Sequence, residues 1–283
     1  MSETRPASLV GLRRLIFSAD VPLARQRARF AAAVAGRAAP GVTREALVLG
    51  GVPVERWSPP GAHRDRTVLY VHGGGYCLGS PVMGRALASH LAVAWAAPVV
   101  APHYRLAPEH PCPAAVEDVA AVLAALATRV VLALADSAGA GALLAATAAR
   151  PGQLAAQVLV SPWLDLARQL APDLAARDAL VSPGWLAACA RHYAREPRDP
   201  LASPLRGPPR ALPPTLVVGT DDDLVAPDAA ALARWPGVEL HEWPGQWHDF
   251  ALTPGASVAG AQARDAIVAF GSRVLGWGGG LSG

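Results

Sequence analysis

Four stretches of the chain hold residue types that nucleophilic catalysis needs. The first is Asp136-Ser137-Ala138-Gly139, set between the apolar run Val130–Ala135 and an alanine-rich segment reaching Ala149. A serine at a sharp strand-to-helix turn holds its hydroxyl above the sheet. The first N–H groups of the helix then face any oxygen that becomes negative. Such a turn demands very small residues two before and two after the serine, and Ala135 and Gly139 stand there. A helix-capping serine has the same local pattern, so this stretch does not decide alone. The second is His72-Gly73-Gly74-Gly75-Tyr76, directly after Leu69–Val71. Three glycines after a strand strip every Cβ from one length of backbone and permit positive φ. Backbone donors presented in this way suit a tetrahedral oxyanion.

The third stretch is Asp221-Asp222-Asp223-Leu224 after the apolar Val217-Val218, and the fourth is Trp243 to Phe250, which contains His248. Three adjacent carboxylates have the chemistry to hold a hard cation, but the alternating ligand spacing of a calcium loop is missing. A solvated acidic turn is the other simple reading. The chain order Ser, Asp, His favours catalysis, because each lies at the carboxyl end of an expected strand and a parallel sheet gathers those ends.

The elements that must position these groups follow from the hydrophobic pattern. Residues 1–40 are helical in composition, with Asp20 placed to cap a helix whose face carries Leu23, Phe30 and Val34. From Glu45 short apolar runs alternate with helical segments. Strands are expected at 46–48, 52–57, 67–71, 99–101, 130–135, 157–160, 215–218 and 238–241. Helices are expected at 113–126, 137–149, 229–235 and 258–274. This alternation predicts an α/β fold with a mostly parallel sheet flanked by helices. Between Asp165 and Pro214 it fails, and some fifty residues there exceed a tight crossover. Together with residues 1–40 they are expected to form a helical lid at about 1–40 and 165–214 of one domain spanning 1–283. The tail Gly276–Gly283 is expected to fray.

Composition excludes several classes. The chain of 283 residues is 52% hydrophobic and 17% charged, which rules out disorder. A net charge of +3, with all basic charge on Arg, gives no support to nucleic-acid binding. Arg25, Arg27, Arg29 and Arg37 read as a solvated helix face. Cys77, Cys112 and Cys189 form no CxxC pair, so neither a disulfide framework nor a thiolate metal site is expected. The N-terminus shows no secretory pattern, and Arg129 and Asp136 interrupt the apolar stretch 126–149. A cytoplasmic protein without membrane insertion is the expectation.

The chain resembles the hormone-sensitive-lipase-like family of α/β-hydrolases, bacterial carboxylesterases among them, over about residues 22 to 275. The matching stretches are Gly51–Trp57, His72–Ser80, Tyr104–Pro111 with Pro113–Asp118, Asp136–Gly139, Ser161–Asp165 and His248–Phe250. The combination of HGGG with YRLAPEHP makes the match specific. The resemblance implies an α/β-hydrolase fold with Ser137 as nucleophile and His248 as base. Two residues before Leu224, the family's Asp-x-Leu pattern selects Asp222 as the acid. Gly74, Gly75 and Ala138 match the oxyanion donors, while Tyr104, Arg105 and Glu109 match supports. Pocket candidates are Tyr76, Trp163, Trp185 and Tyr193. No metal or organic cofactor is implied, the partner is a small-molecule ester, and a homodimer is possible. An amidase or deacetylase of a small acetylated metabolite would use the same groups, and the fold has also been reused for ligand receptors. The chain departs from the family in Ala135, where Gly is usual, and in a shorter stretch between Leu123 and the serine strand.

Overall fold

The apolar runs from Thr43 onward pair into a single sheet, seen in a computed structural model that describes residues 8–33, 37–126 and 129–277. The strands are β1 (Thr43–Leu49), β2 (Val52–Ser58), β3 (Arg66–Val71), β4 (Val99–Pro102), β5 (Val130–Asp136), β6 (Ala156–Val160), β7 (Thr215–Gly219) and β8 (Val238–Glu242). Their spatial order is β1-β2-β4-β3-β5-β6-β7-β8. β1 with β2 and β2 with β4 run antiparallel, and every other pair is parallel.

Side chains alternate along the central strands, so each strand feeds two cores. Leu69, Val71, Ala133, Ala135, Leu159 and Val217 face one core. It also contains Val119 of α4 (Ala114–Ala125), Leu143 of α5 (Ser137–Ala148) and Leu232 of α8 (Ala226–Leu232). Val68, Tyr70, Leu132, Leu134, Val158 and Val218 face the other, with Leu91 of α3 (Arg85–Trp95) and Ile267 of α9 (Val258–Leu275). Both faces are therefore covered, as near-continuous apolar strands require. α3 was not anticipated from the sequence.

The N-terminal part forms α1 (Ser8–Leu15) and α2 (Leu23–Ala33), and the segment after β6 carries α6 (Pro172–Arg177) and α7 (Pro183–Tyr193). Gln26 joins the two parts: its Oε1 accepts from Trp185 Nε1 at 2.8 Å, and its Nε2 donates to the Val21 carbonyl at 2.6 Å. Arg27 is not part of a solvated face. It donates to the Cys77 and Ala107 carbonyls at 2.8 Å and holds Glu109 through both carboxylate oxygens. Val34 lies outside the described residues.

Trp277 corrects part of the expected frayed tail. It is buried against Trp95, with ring centroids 6.1 Å apart; residues 278–283 lie outside the described part. Among the described residues no helix is long and apolar enough to cross a membrane.

Candidate active site

Four chain segments leave the carboxyl edge of the sheet and converge. Ser137 follows β5 with a φ of 48°, a left-handed conformation for a residue with a side chain. That strain costs on the order of 1–3 kcal/mol and persists only where the surroundings impose it. Here the Ser137 carbonyl accepts from Trp163 N–H at 3.0 Å. Gly139 lets α5 approach β3, since a methyl there would collide with the Val71 and His72 carbonyls. Ala135 is fully buried in the core, and Ser137 Oγ lies within 3.0 Å of a histidine ring nitrogen. The shorter stretch after Leu123 does not separate the reacting groups either, although residues 127–128 lie outside the described part.

His248 comes from the loop between β8 and α9. Its Nε2 lies 3.0 Å from Ser137 Oγ, and its Nδ1 lies 2.7 Å from Oδ2 of Asp223. The acid is thus Asp223, and the assignment to Asp222 is corrected. Asp223 is only 1% exposed. Its Oδ1 accepts from Val225 N–H at 3.0 Å, a tight turn that carries the chain into α8 and aims Oδ2 inward. Asp222 turns outward to Arg177 at 2.9 Å, and Asp221 accepts from Gly245 N–H at 3.0 Å. Consecutive side chains diverge at the turn, so the offset from Leu224 chose the wrong neighbour. The same divergence breaks up the carboxylates: among the described residues no group of three or more His, Cys, Asp or Glu is arranged to hold a metal.

The glycine loop packs on the serine turn. Gly73 N–H is committed to Asp136 Oδ2 at 2.8 Å, while Gly74, at φ 98°, borders the same cavity as Ser137 and His248. Gly75, at φ 62°, leaves no room for a Cβ between Cys189 and Trp185. Tyr104 supports the loop from below: its hydroxyl donates to the His72 carbonyl at 2.8 Å, and its ring stacks on His72 at 4.2 Å. Arg105 braces Asp118 and Glu117. Burial pushes the His72 imidazole down to about 3, so it is a neutral packing group.

The cavity measures about 330 Å³ and is walled mainly by apolar side chains. Of the four expected pocket residues, only Trp185 lines it. Tyr76 and Tyr193 stack on each other at 3.6 Å inside the core, and Trp163 packs near Tyr76 at 6.0 Å. A flat pair buried within α7 and the glycine loop leaves no edge toward the ligand space. Residues not anticipated take their place, among them Phe17, Phe30, Trp247 and Leu252. The apolar spacing of residues 9–17 was the available signal for part of this wall.

Electrostatics at the site are set by buried carboxyls. Burial opposes charge on His248, but the Asp223 carboxylate and then Asp249 draw its pKa up to about 10. Asp178 was also missed. Burial and then the nearby Asp223 charge raise its pKa, and its Oδ2 accepts from Leu224 N–H at 2.9 Å, directly beside Asp223.

This geometry is the nucleophile–base–acid relay of a serine hydrolase on an α/β sheet. The sequence profile described as alpha/beta hydrolase fold matches residues 68–252. The chain is 41% identical to a protein named acetyl-hydrolase from Streptomyces hygroscopicus, over 74% of this chain and 76% of that one. It is 31% identical to a protein named esterase from Acinetobacter venetianus, over 68% and 69% of the two chains. A crystal structure of an esterase from the bacterial hormone-sensitive lipase family superimposes with a TM-score of 0.86 at 29% identity, covering 99% of this chain and all of that one. The chain belongs to the hormone-sensitive-lipase-like family of α/β-hydrolases.

Proposed function

We propose that the protein is a serine carboxylesterase acting on short- to medium-chain acyl esters of small molecules. The observation that carries this reading is the continuous Asp223–His248–Ser137 relay, which ends in an apolar cavity of about 330 Å³. That volume is at the small end for ligand pockets, which fits short acyl groups, as does a relative named acetyl-hydrolase.

His248 Nε2 takes the Ser137 proton as Oγ attacks the ester carbonyl. Asp223 holds the Nδ1–H tautomer and stabilises the imidazolium that forms. The N–H groups of Gly74, Gly75 and Ala138 are assigned to the oxyanion, where losing one donor typically costs about 3 kcal/mol of barrier. His248 then protonates the leaving alcohol, and a water activated by the same nitrogen releases the acid. No step calls for a cofactor.

The chain functions in this reading as one domain, with segments of about 1–40 and 165–214 as a lid. Leu9, Leu12, Phe17 and Phe30 from the first segment and Leu180 and Trp185 from the second wall the cavity. The free thiols Cys77, Cys112 and Cys189 support a reducing, cytoplasmic location.

The test is a panel of p-nitrophenyl esters of increasing acyl length beside acetamides and lactones. Turnover is expected to be highest for short acyl esters and to fall for long ones. Turnover confined to acetamides would replace the esterase with a deacetylase, and no turnover at all would favour a ligand receptor.

A further inference from the structure

The stretch Ser161–Asp165 holds neither the nucleophile, the base nor the acid. It leaves the end of β6, the strand beside β5, and its contacts run to all three catalytic loops. Trp163 N–H donates to the Ser137 carbonyl at 3.0 Å. Leu164 and Asp165 N–H donate to Asp228 Oδ2 at 2.7 and 2.9 Å, and Asp228 lies on α8, the helix entered from the Asp223 turn. Ser161 Oγ accepts at 3.1 Å from Asp249 N–H, the peptide that joins Asp249 to His248.

Ser161 is the unexpected member. It is buried, with a φ of 41°, in the left-handed region that residues with a side chain rarely adopt. Its N–H donates to the Val218 carbonyl at 2.8 Å, which ties this backbone to β7. Glycine takes such a conformation without strain, so the strain borne here points to a use for the hydroxyl. Among the described residues the Oγ has one hydrogen-bond partner, Asp249 N–H. A serine that only closed its own turn would bond an N–H two or three residues further on.

Between β8 and Phe250 the histidine loop has no strand or helix of its own, so acceptors on neighbouring loops place its backbone. Ahead of His248, Gly245 N–H is held by Asp221 Oδ1 at 3.0 Å and Gln246 N–H by Thr220 Oγ1 at 3.2 Å. Behind it, Asp249 N–H is held by Ser161 Oγ. The base is thus suspended between anchors after β7 and after β6.

We propose that Ser161 is a positioning residue for ester hydrolysis, with its Oγ holding the His248–Asp249 peptide while Trp163 N–H holds the Ser137 carbonyl. One short segment then sets the 3.0 Å between Ser137 Oγ and His248 Nε2. The proposal rests on the esterase reading of those two residues. Proton transfer needs hydrogen-bond reach, and a misplacement of about 1 Å costs on the order of a hundredfold in rate. Ser161 is not among the residues lining the cavity, so it acts on rate rather than on substrate binding.

The experiment compares wild type, Ser161→Ala and Ser161→Gly in kcat, KM and the NMR signals of the His248 ring, assigned against His248→Gln. Alanine removes the acceptor and keeps the strained backbone. Glycine removes the acceptor and relieves the strain, so Ser161→Gly is expected to fold even where strain keeps Ser161→Ala from folding. Each folded variant is expected to lose about tenfold or more in kcat, with KM within about threefold of wild type. The His248 ring signals are expected to move in both. Wild-type kcat in either variant would overturn the proposal, and in Ser161→Gly it would show that the backbone alone matters. If wild type hydrolysed no ester, the esterase reading would fail. Unmoved His248 signals in the variants would then refute the anchor, and moved ones would uphold it.

Discussion

Nδ1 of His248 lies 2.7 Å from Oδ2 of Asp223, while the adjacent Asp222 carboxylate turns away to Arg177 at 2.9 Å. One position along the chain separates a group that orients the imidazole from one in a partly exposed ion pair. Asp223→Asn is therefore expected to lower kcat by about 10⁴-fold, by leaving the wrong tautomer on the ring. Asp222→Asn is expected to cost less than about tenfold, since partly exposed ion pairs contribute little. Steady-state kinetics of the two variants side by side check this.

Ser137→Ala removes the attacking oxygen but no core contact, because the hydroxyl faces the cavity and His248. Turnover is expected to fall by about 10⁴-fold or more with an unchanged circular dichroism spectrum. Adding His248→Ala is expected to lower it little further, since relay members act as a unit. A large additional loss in the double variant would mean that the two residues serve different steps.

The pH dependence follows from the neighbours of His248. The base works only when neutral, so kcat/KM rises as the imidazolium loses its proton. Burial lowers its pKa, but Asp223 and Asp249 outweigh that and raise it. The rise is expected above the ordinary histidine value of about 6.5, and Asp223→Asn is expected to move it to lower pH. The stabilisation gained by the charged imidazole is fully present below that ordinary value. It is lost as pH climbs through the raised one, which thermal unfolding against pH measures.

Asp178 links the segment after β6 to the acid turn. Its Oδ1 accepts from Leu180 and Val181 N–H, both at 2.8 Å, and its Oδ2 accepts from Leu224 N–H at 2.9 Å. Asp178→Ala strands these donors, and the two buried ones, Val181 and Leu224 N–H, each cost about 1–3 kcal/mol when left unpaired. A clear drop in the urea midpoint is expected, together with a lower kcat because the turn that aims Asp223 is loosened.

Much of the fold was legible because the strands and their intervening helices obey simple periods. Val130–Ala135 followed by an alanine-rich run reads as a buried strand and a closely packed helix, and β5 and α5 form there. α3 is less legible: Leu87, Leu91 and Trp95 recur at helical spacing and are buried, but Ala86, Ala88, Ala92, Val93 and Ala94 between them blur the period. Ser137 and His248 meet as their order along the chain required. Asp222 failed for a local reason: a turn closed by the Asp223 side chain onto Val225 N–H sets which carboxylate faces inward, and composition does not reveal such a turn. Tyr76 and Tyr193 failed as pocket residues because their mutual stacking buries both, a pairing between positions far apart in sequence.

The central claim is that Ser137 forms a covalent intermediate with His248 as its base. The most direct measurement is peptide mapping by mass spectrometry after reaction with a fluorophosphonate, in wild type, His248→Ala and Ser137→Ala. The account predicts one phosphonylated peptide containing Ser137, formed far more slowly without His248 and absent in Ser137→Ala. A label on another residue, or labelling of Ser137 at the same rate without His248, would contradict it.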